Sequence, residues 1–173
     1  MKIGLMDVDG HNYPNLPLMK LSAYHKGQGD EVQWYYPLTS GHMDAVYISK
    51  VFTFTDYFEY VMDADEVVYG GSGFINGGLQ EKFRQLRDEM EETVGQEEAD
   101  RRPIELIVEG KKYRDILPHE IEHIYPDYSL YGIEDEAYGF MSRGCPRGCH
   151  FCIVGCKEGR KSRKVADLEE FWR

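Results

Sequence analysis

The chain has 173 residues and 31 acidic against 20 basic side chains, a formal charge of −11, so it fits one domain or little more, and the acidic excess argues against non-specific nucleic-acid binding, which relies on clustered Lys and Arg. With 42% hydrophobic residues it has enough apolar material for a core, which excludes a disordered chain. No apolar run approaches the roughly 20 residues that cross a bilayer, and Asp7 and Asp9 stand where a signal peptide needs its apolar centre; the expected location is the cytoplasm, with no membrane contact. A short apolar run over residues 2–6 predicts a buried strand, followed by a loop with the sequence DVDGHNYPN. Leu18, Leu21, Ala23 and Tyr24 predict a helix over 16–27 that Gly27 and Gly29 can end. Strands are then expected at 31–36 and 44–49, a helix at 56–62, and a fourth strand at 66–69 running into GGSGFINGG. This order predicts an α/β fold with a doubly wound, mostly parallel sheet.

Residues 79–102 are highly charged, with Phe83, Leu86 and Met90 on one helical face, and predict a solvated amphipathic helix inserted in the first domain. Residues 104–108 and Tyr113 predict a hairpin around an EGKK turn, so that the first domain spans 1–116. Residues 117–137 hold two prolines among aromatic and histidine side chains and are expected to be a connector. A last strand at 138–141 leads into the cysteines, and VADLEEFWR follows as a helix.

All four cysteines lie between Cys145 and Cys156. A secreted disulfide framework would spread them out, so this spacing points to metal or redox chemistry. Cys145, Cys149 and Cys152 follow C-x3-C-x2-C on a loop in which Gly144 and Gly148 permit a tight bend, Pro146 stiffens the turn, and Phe151 supplies an aromatic wall. Three thiolates this close can hold three corners of a cubane iron–sulfur cluster and leave one iron open. The alternatives are a structural zinc site that adds Cys156, an electron-transfer cluster closed by Cys156, or a thiol–disulfide pair of Cys149 and Cys152; otherwise Cys156 is a bystander thiol. Lys157, Arg160, Lys161, Arg163 and Lys164 form a local basic cluster, read as a solvated loop or as a contact for an anionic group.

The segment YGFMSRGCPRGCHFC resembles the cluster loop of radical S-adenosylmethionine (SAM) enzymes, which follows the first strand of a partial (β/α) barrel. The resemblance implies a [4Fe-4S] cluster on Cys145, Cys149 and Cys152, with Phe151 beside the cofactors. It also implies SAM chelated to the open iron, reductive cleavage to a 5′-deoxyadenosyl radical, and a one-electron reductant such as a flavodoxin or ferredoxin as partner. The substrate stays open. Residues 2–75 resemble the Rossmann-type domain that precedes the barrel in cobalamin-dependent members, through PNLPLMKLSAYHKGQGDEV, DAVYIS and ADEVVYGGSG. That makes cobalamin a further candidate cofactor, with Gly70, Gly71 and Gly73 either a turn or a close approach to it. Asp9 and His11 reproduce the first half of a D-x-H-x-x-G cobalt-ligation motif, in which Asp9 would orient the imidazole; Pro14 replaces its glycine. The competing reading is a noncatalytic cobalamin- or nucleotide-binding module with a structural metal. Residues 138–173 would be only the first strand, loop and helix of a barrel that needs on the order of 150 to 200 residues, so a chain that stops early in the barrel is expected.

Overall fold

The computed structural model describes residues 1–150, 152, 154 and 158–172. Its centre is a six-stranded sheet in the order β2-β1-β3-β4-β6-β5, formed by β1 (Lys2–Asp7), β2 (Glu31–Trp34), β3 (Met43–Ser49), β4 (Ala64–Gly70), β5 (Glu105–Val108) and β6 (Lys111–Arg114). The first five strands in that order are parallel, and β5 closes the edge antiparallel to β6. The α/β class with a mostly parallel sheet flanked by helices is therefore as the sequence predicts. The hairpin is tighter than EGKK suggests. Val108 pairs with Lys111, and the turn is Glu109 and Gly110 alone, both at positive φ, the conformation that matches strand twist in a two-residue loop.

Parallel pairing puts Ile3, Leu5 and Ala45 on one face of the sheet, where Leu18 and Leu21 of helix α1 (Leu16–Gly27) cover them. The opposite face carries Met43, Val46, Ile48 and Tyr69. There the chain between β3 and β4 does not form the helix expected at 56–62. The segment is rich in aromatic residues, which lose side-chain freedom in a helix, and Tyr57 and Met62 instead insert into the core while Phe54, Phe58 and Val61 stay exposed. The expected charged helix splits at Gly95 (φ 84°) into α2 (Gly77–Val94) and α3 (Gln96–Ala99). Its predicted face is the one that packs: Phe83 is buried with Ile75 and Ile104, and Leu86 and Met90 flank them.

The 117–137 segment is a layer on the outside of α1. Helix α4 (His119–Glu122) buries Ile121 in the α1 core. Lys20 donates to the Glu122 carbonyl, Ser22 and Lys26 both donate to Asp127 at 2.6 Å, and the Asp127 amide donates to the Met19 carbonyl at 3.1 Å. Burial pushes the Asp127 carboxyl up, but the hydrogen bonds from Lys26, Ser129 and Ser22 outweigh it and hold the group below its ordinary value. Covered on two sides, α1 needs polar groups on its outer face, which explains buried Lys20 and Ser22.

The strand expected at 138–141 is absent. Tyr128 binds the Tyr138 amide and donates to the Phe171 carbonyl, and Gly139 lies under the Phe171 ring, which a Cβ would meet at 2.2 Å. The extended residues are β7 (Ser142–Arg143), paired antiparallel with β8 (Arg163–Lys164). Of the expected last helix only a 3-10 turn, Leu168–Glu170, forms among the described residues, with Asp167 and Glu170 making a reciprocal cap. Among the described residues no helix is long and apolar enough to cross a membrane.

Candidate functional site: the carboxyl edge of the sheet and the cysteine loop

In open parallel sheets, ligands bind beyond the carboxyl ends of the strands, where the strand order reverses. Here that point lies between β1 and β3. Asn15 caps α1 and donates to Ser49 at the end of β3, 2.8 Å away, with both side chains buried. At the end of β1, Asp7 accepts from Tyr131 at 2.6 Å and from the Asp9 amide at 3.2 Å. Burial nevertheless pushes the Asp7 carboxyl above its ordinary value.

Asp9 does not orient His11. Its carboxylate accepts from the Val51 and Phe52 amides and from the Thr55 hydroxyl at 2.6 Å, which pins the loop after β3. His11 lies flat on Trp34, ring centres 4.0 Å apart, and makes a near-perpendicular ring contact with Tyr131 at 6.0 Å. Gly70 ends β4 with room for a side chain on its Cα, the nearest atom to an added Cβ being the Arg114 carbonyl oxygen at an ordinary contact distance of 3.7 Å. At Gly71 and Gly73 that space is filled by the chain itself: a Cβ would stand 2.2 Å from the Lys50 carbonyl oxygen at Gly71 and 2.8 Å from that of Phe52 at Gly73. Lys50, itself buried, extends its ammonium over the Phe74 ring.

A cleft of about 1190 Å³ runs from Asn15, Ser49 and Gly70 across to Arg143, Glu158 and Arg163. The far wall is the base of the cysteine loop. Glu158 binds Arg143 at 2.8 Å and accepts from the Gly144 amide, while its own carbonyl accepts from Arg163. Arg163 also binds Asp100, after α3, at 2.8 Å. Gly144 sits at φ 82°, where a Cβ would lie 2.0 Å from the Lys161 carbonyl oxygen, and the Cys145 amide donates to the Gly159 carbonyl. The loop that bears the thiols is thus closed at its neck by backbone contacts and one charged pair.

Cys145, Cys149 and Cys152 are free thiols; Cys149 is exposed and the other two are half-buried. The Cys152 amide donates to the Cys149 carbonyl, so the chain turns between them. Arg160 lies alongside Gly148. Phe151, Cys156 and Lys157 lie outside the described residues. Among the described residues no three His, Cys, Asp or Glu side chains stand together as a metal-holding group. The donor set still fits an iron–sulfur cluster, because three free thiols sit on one loop with its neck fixed, and thiolate ligands gather as the metal binds.

Arg143 and Glu158, which join the neck of the loop to the cleft, were not singled out from sequence. Neither was Tyr131, which closes the carboxyl edge together with Asn15 and Ser49. Only their flanking position to the cysteines or strand ends marks them in the sequence. Comparison with protein-family models, with curated proteins and with solved structures gave no match.

Proposed function

We propose that this chain carries the cluster-binding loop of a radical SAM enzyme, with Cys145, Cys149 and Cys152 as the three ligands of a [4Fe-4S] cluster. The observation that supports the reading is the set of three free thiols on a C-x3-C-x2-C loop whose neck borders the cleft at the carboxyl edge of the sheet. When bound, such a cluster supplies the electron for reductive cleavage of SAM. The chain's own part is to fix the loop: Glu158 holds the backbone just before the first ligand, and Arg143 joins that neck to Glu122 of α4, 3.5 Å away. Free thiols suit a reducing cytoplasm, and the electron would come from a flavodoxin- or ferredoxin-type donor.

In this reading the six-stranded sheet would be the Rossmann-type domain that precedes the barrel, and residues 138–172, whose described strands β7 and β8 pair antiparallel, would be the barrel's beginning. A cobalamin held by His11 would require the imidazole to leave Trp34. The competing reading, a noncatalytic module with a structural metal, differs in metal content. After anaerobic incubation with iron and sulfide, the cluster reading expects about four irons and four sulfides per chain. One zinc on the cysteines and no acid-labile sulfide would favour the module.

A further inference from the structure

Helix α4 and its C-terminal cap read His119-Glu120-Ile121-Glu122-His123. Residues four apart share one helix face, and the two imidazoles are in contact, ring centres 4.5 Å apart and tilted by 49°. Ile121 points the other way, into the core against α1, so the helix is held in place while both histidines stay exposed and line the cleft. His123 Nδ1 is 2.7 Å from a carboxylate oxygen of Glu170. An ionised carboxylate can only accept, so Nδ1 is the donor of this hydrogen bond, and in the neutral ring Nε2 then carries the lone pair, the arrangement that orients metal-binding imidazoles. The ring nitrogens of His119 have no hydrogen-bond or ion-pair partner among the described residues.

Two imidazoles on one tetrahedral Zn²⁺, each bound at about 2.1 Å, have ring centres roughly 5 Å apart, close to the 4.5 Å between these two rings. We propose that His119 and His123 form a two-histidine site for a first-row divalent cation, Zn²⁺ above all, with Glu170 as the carboxylate behind His123. Imidazole is a good donor for zinc, copper and nickel. No third His, Cys, Asp or Glu joins them among the described residues, so water completes the coordination and the open positions face the cleft. The spacing H-E-x-x-H also occurs in zinc peptidases, where the glutamate serves as base. Here α4 has four residues and no third ligand stands by among the described residues, so only cation binding is inferred.

The site uses none of the cysteines and is independent of the cluster reading. It changes how a zinc measurement is read, because zinc on the histidines says nothing about the thiols. The test is titration of Zn²⁺ into the full-length chain, with every thiol alkylated, against a chromophoric chelator. The expected result is one Zn²⁺ per chain at micromolar affinity. His119→Ala and His123→Ala should each weaken it about tenfold or more, with melting temperatures unchanged because both side chains are exposed; Glu170→Gln should weaken it about tenfold, and since its carboxylate also accepts from the Asp167 amide its melting temperature is measured alongside. His42→Ala, which removes the exposed histidine paired with Asp63, should have no effect. Cu²⁺ in the alkylated chain should show EPR splitting from two nitrogen ligands, reduced to one in either histidine variant. No bound zinc, or affinity unchanged in both histidine variants, would overturn the proposal.

Discussion

Gly71→Ala should destabilise the fold by about 3–5 kcal/mol and lower the melting temperature by roughly 10 °C. Gly71 adopts φ 92°, and an added Cβ would stand 2.2 Å from the Lys50 carbonyl oxygen. That oxygen cannot move aside cheaply. It accepts from the Gly73 amide at 2.8 Å, and the Lys50 amide donates to the Gly70 carbonyl at 3.1 Å, so the clash falls on the hydrogen bonds that join the ends of β3 and β4. Gly70→Ala is the matched control. Its Cβ meets only the Arg114 carbonyl at ordinary contact distance, 3.7 Å, and the change should stay below about 1 kcal/mol. Thermal denaturation of the two variants side by side decides the matter; equal melting temperatures would contradict the packing of this glycine turn against the end of β3.

The second large effect falls on the cysteine loop. Cys149→Ala should reduce iron and acid-labile sulfide after anaerobic reconstitution to background, because a cubane bound by two thiolates has lost one of its three protein corners. Cys149 is exposed and belongs to none of the buried clusters of the sheet, so the melting temperature of the metal-free chain should not change. Cys156→Ala should retain the cluster. Loss of iron in Cys156→Ala equal to that in Cys149→Ala would instead point to a cluster closed by four cysteines.

The sheet was readable because its central strands are short apolar runs set off by turn residues, and each of 2–6, 44–49 and 66–69 lies within an observed strand. The amphipathic face of α2 was readable for the same reason: Phe83, Leu86 and Met90 repeat at helical spacing. Residues 56–62 misled because apolar side chains at helical spacing can also be single anchors, as Tyr57 and Met62 are. The 117–137 segment looked like a linker because Pro118 and Pro126 interrupt it. Its role comes from side chains distant in sequence, Lys20, Ser22 and Lys26 on α1, and no local pattern reveals those partners. The cysteines were visible as a spacing, but the neck of their loop rests on Glu158 reaching back to Arg143 and Gly144. Asp9 shows the limit of motif reading most plainly: its carboxylate is spent on three donors of the 51–55 loop, not on His11.

The most direct measurement is the low-temperature EPR spectrum of the anaerobically reconstituted, dithionite-reduced chain, recorded with and without SAM. If the open iron of a cluster on Cys145, Cys149 and Cys152 takes SAM as a ligand, the spectrum should be that of a reduced [4Fe-4S] cluster whose g values shift when SAM is added. A reduced-cluster spectrum indifferent to SAM, or no cluster signal at all, would contradict the account.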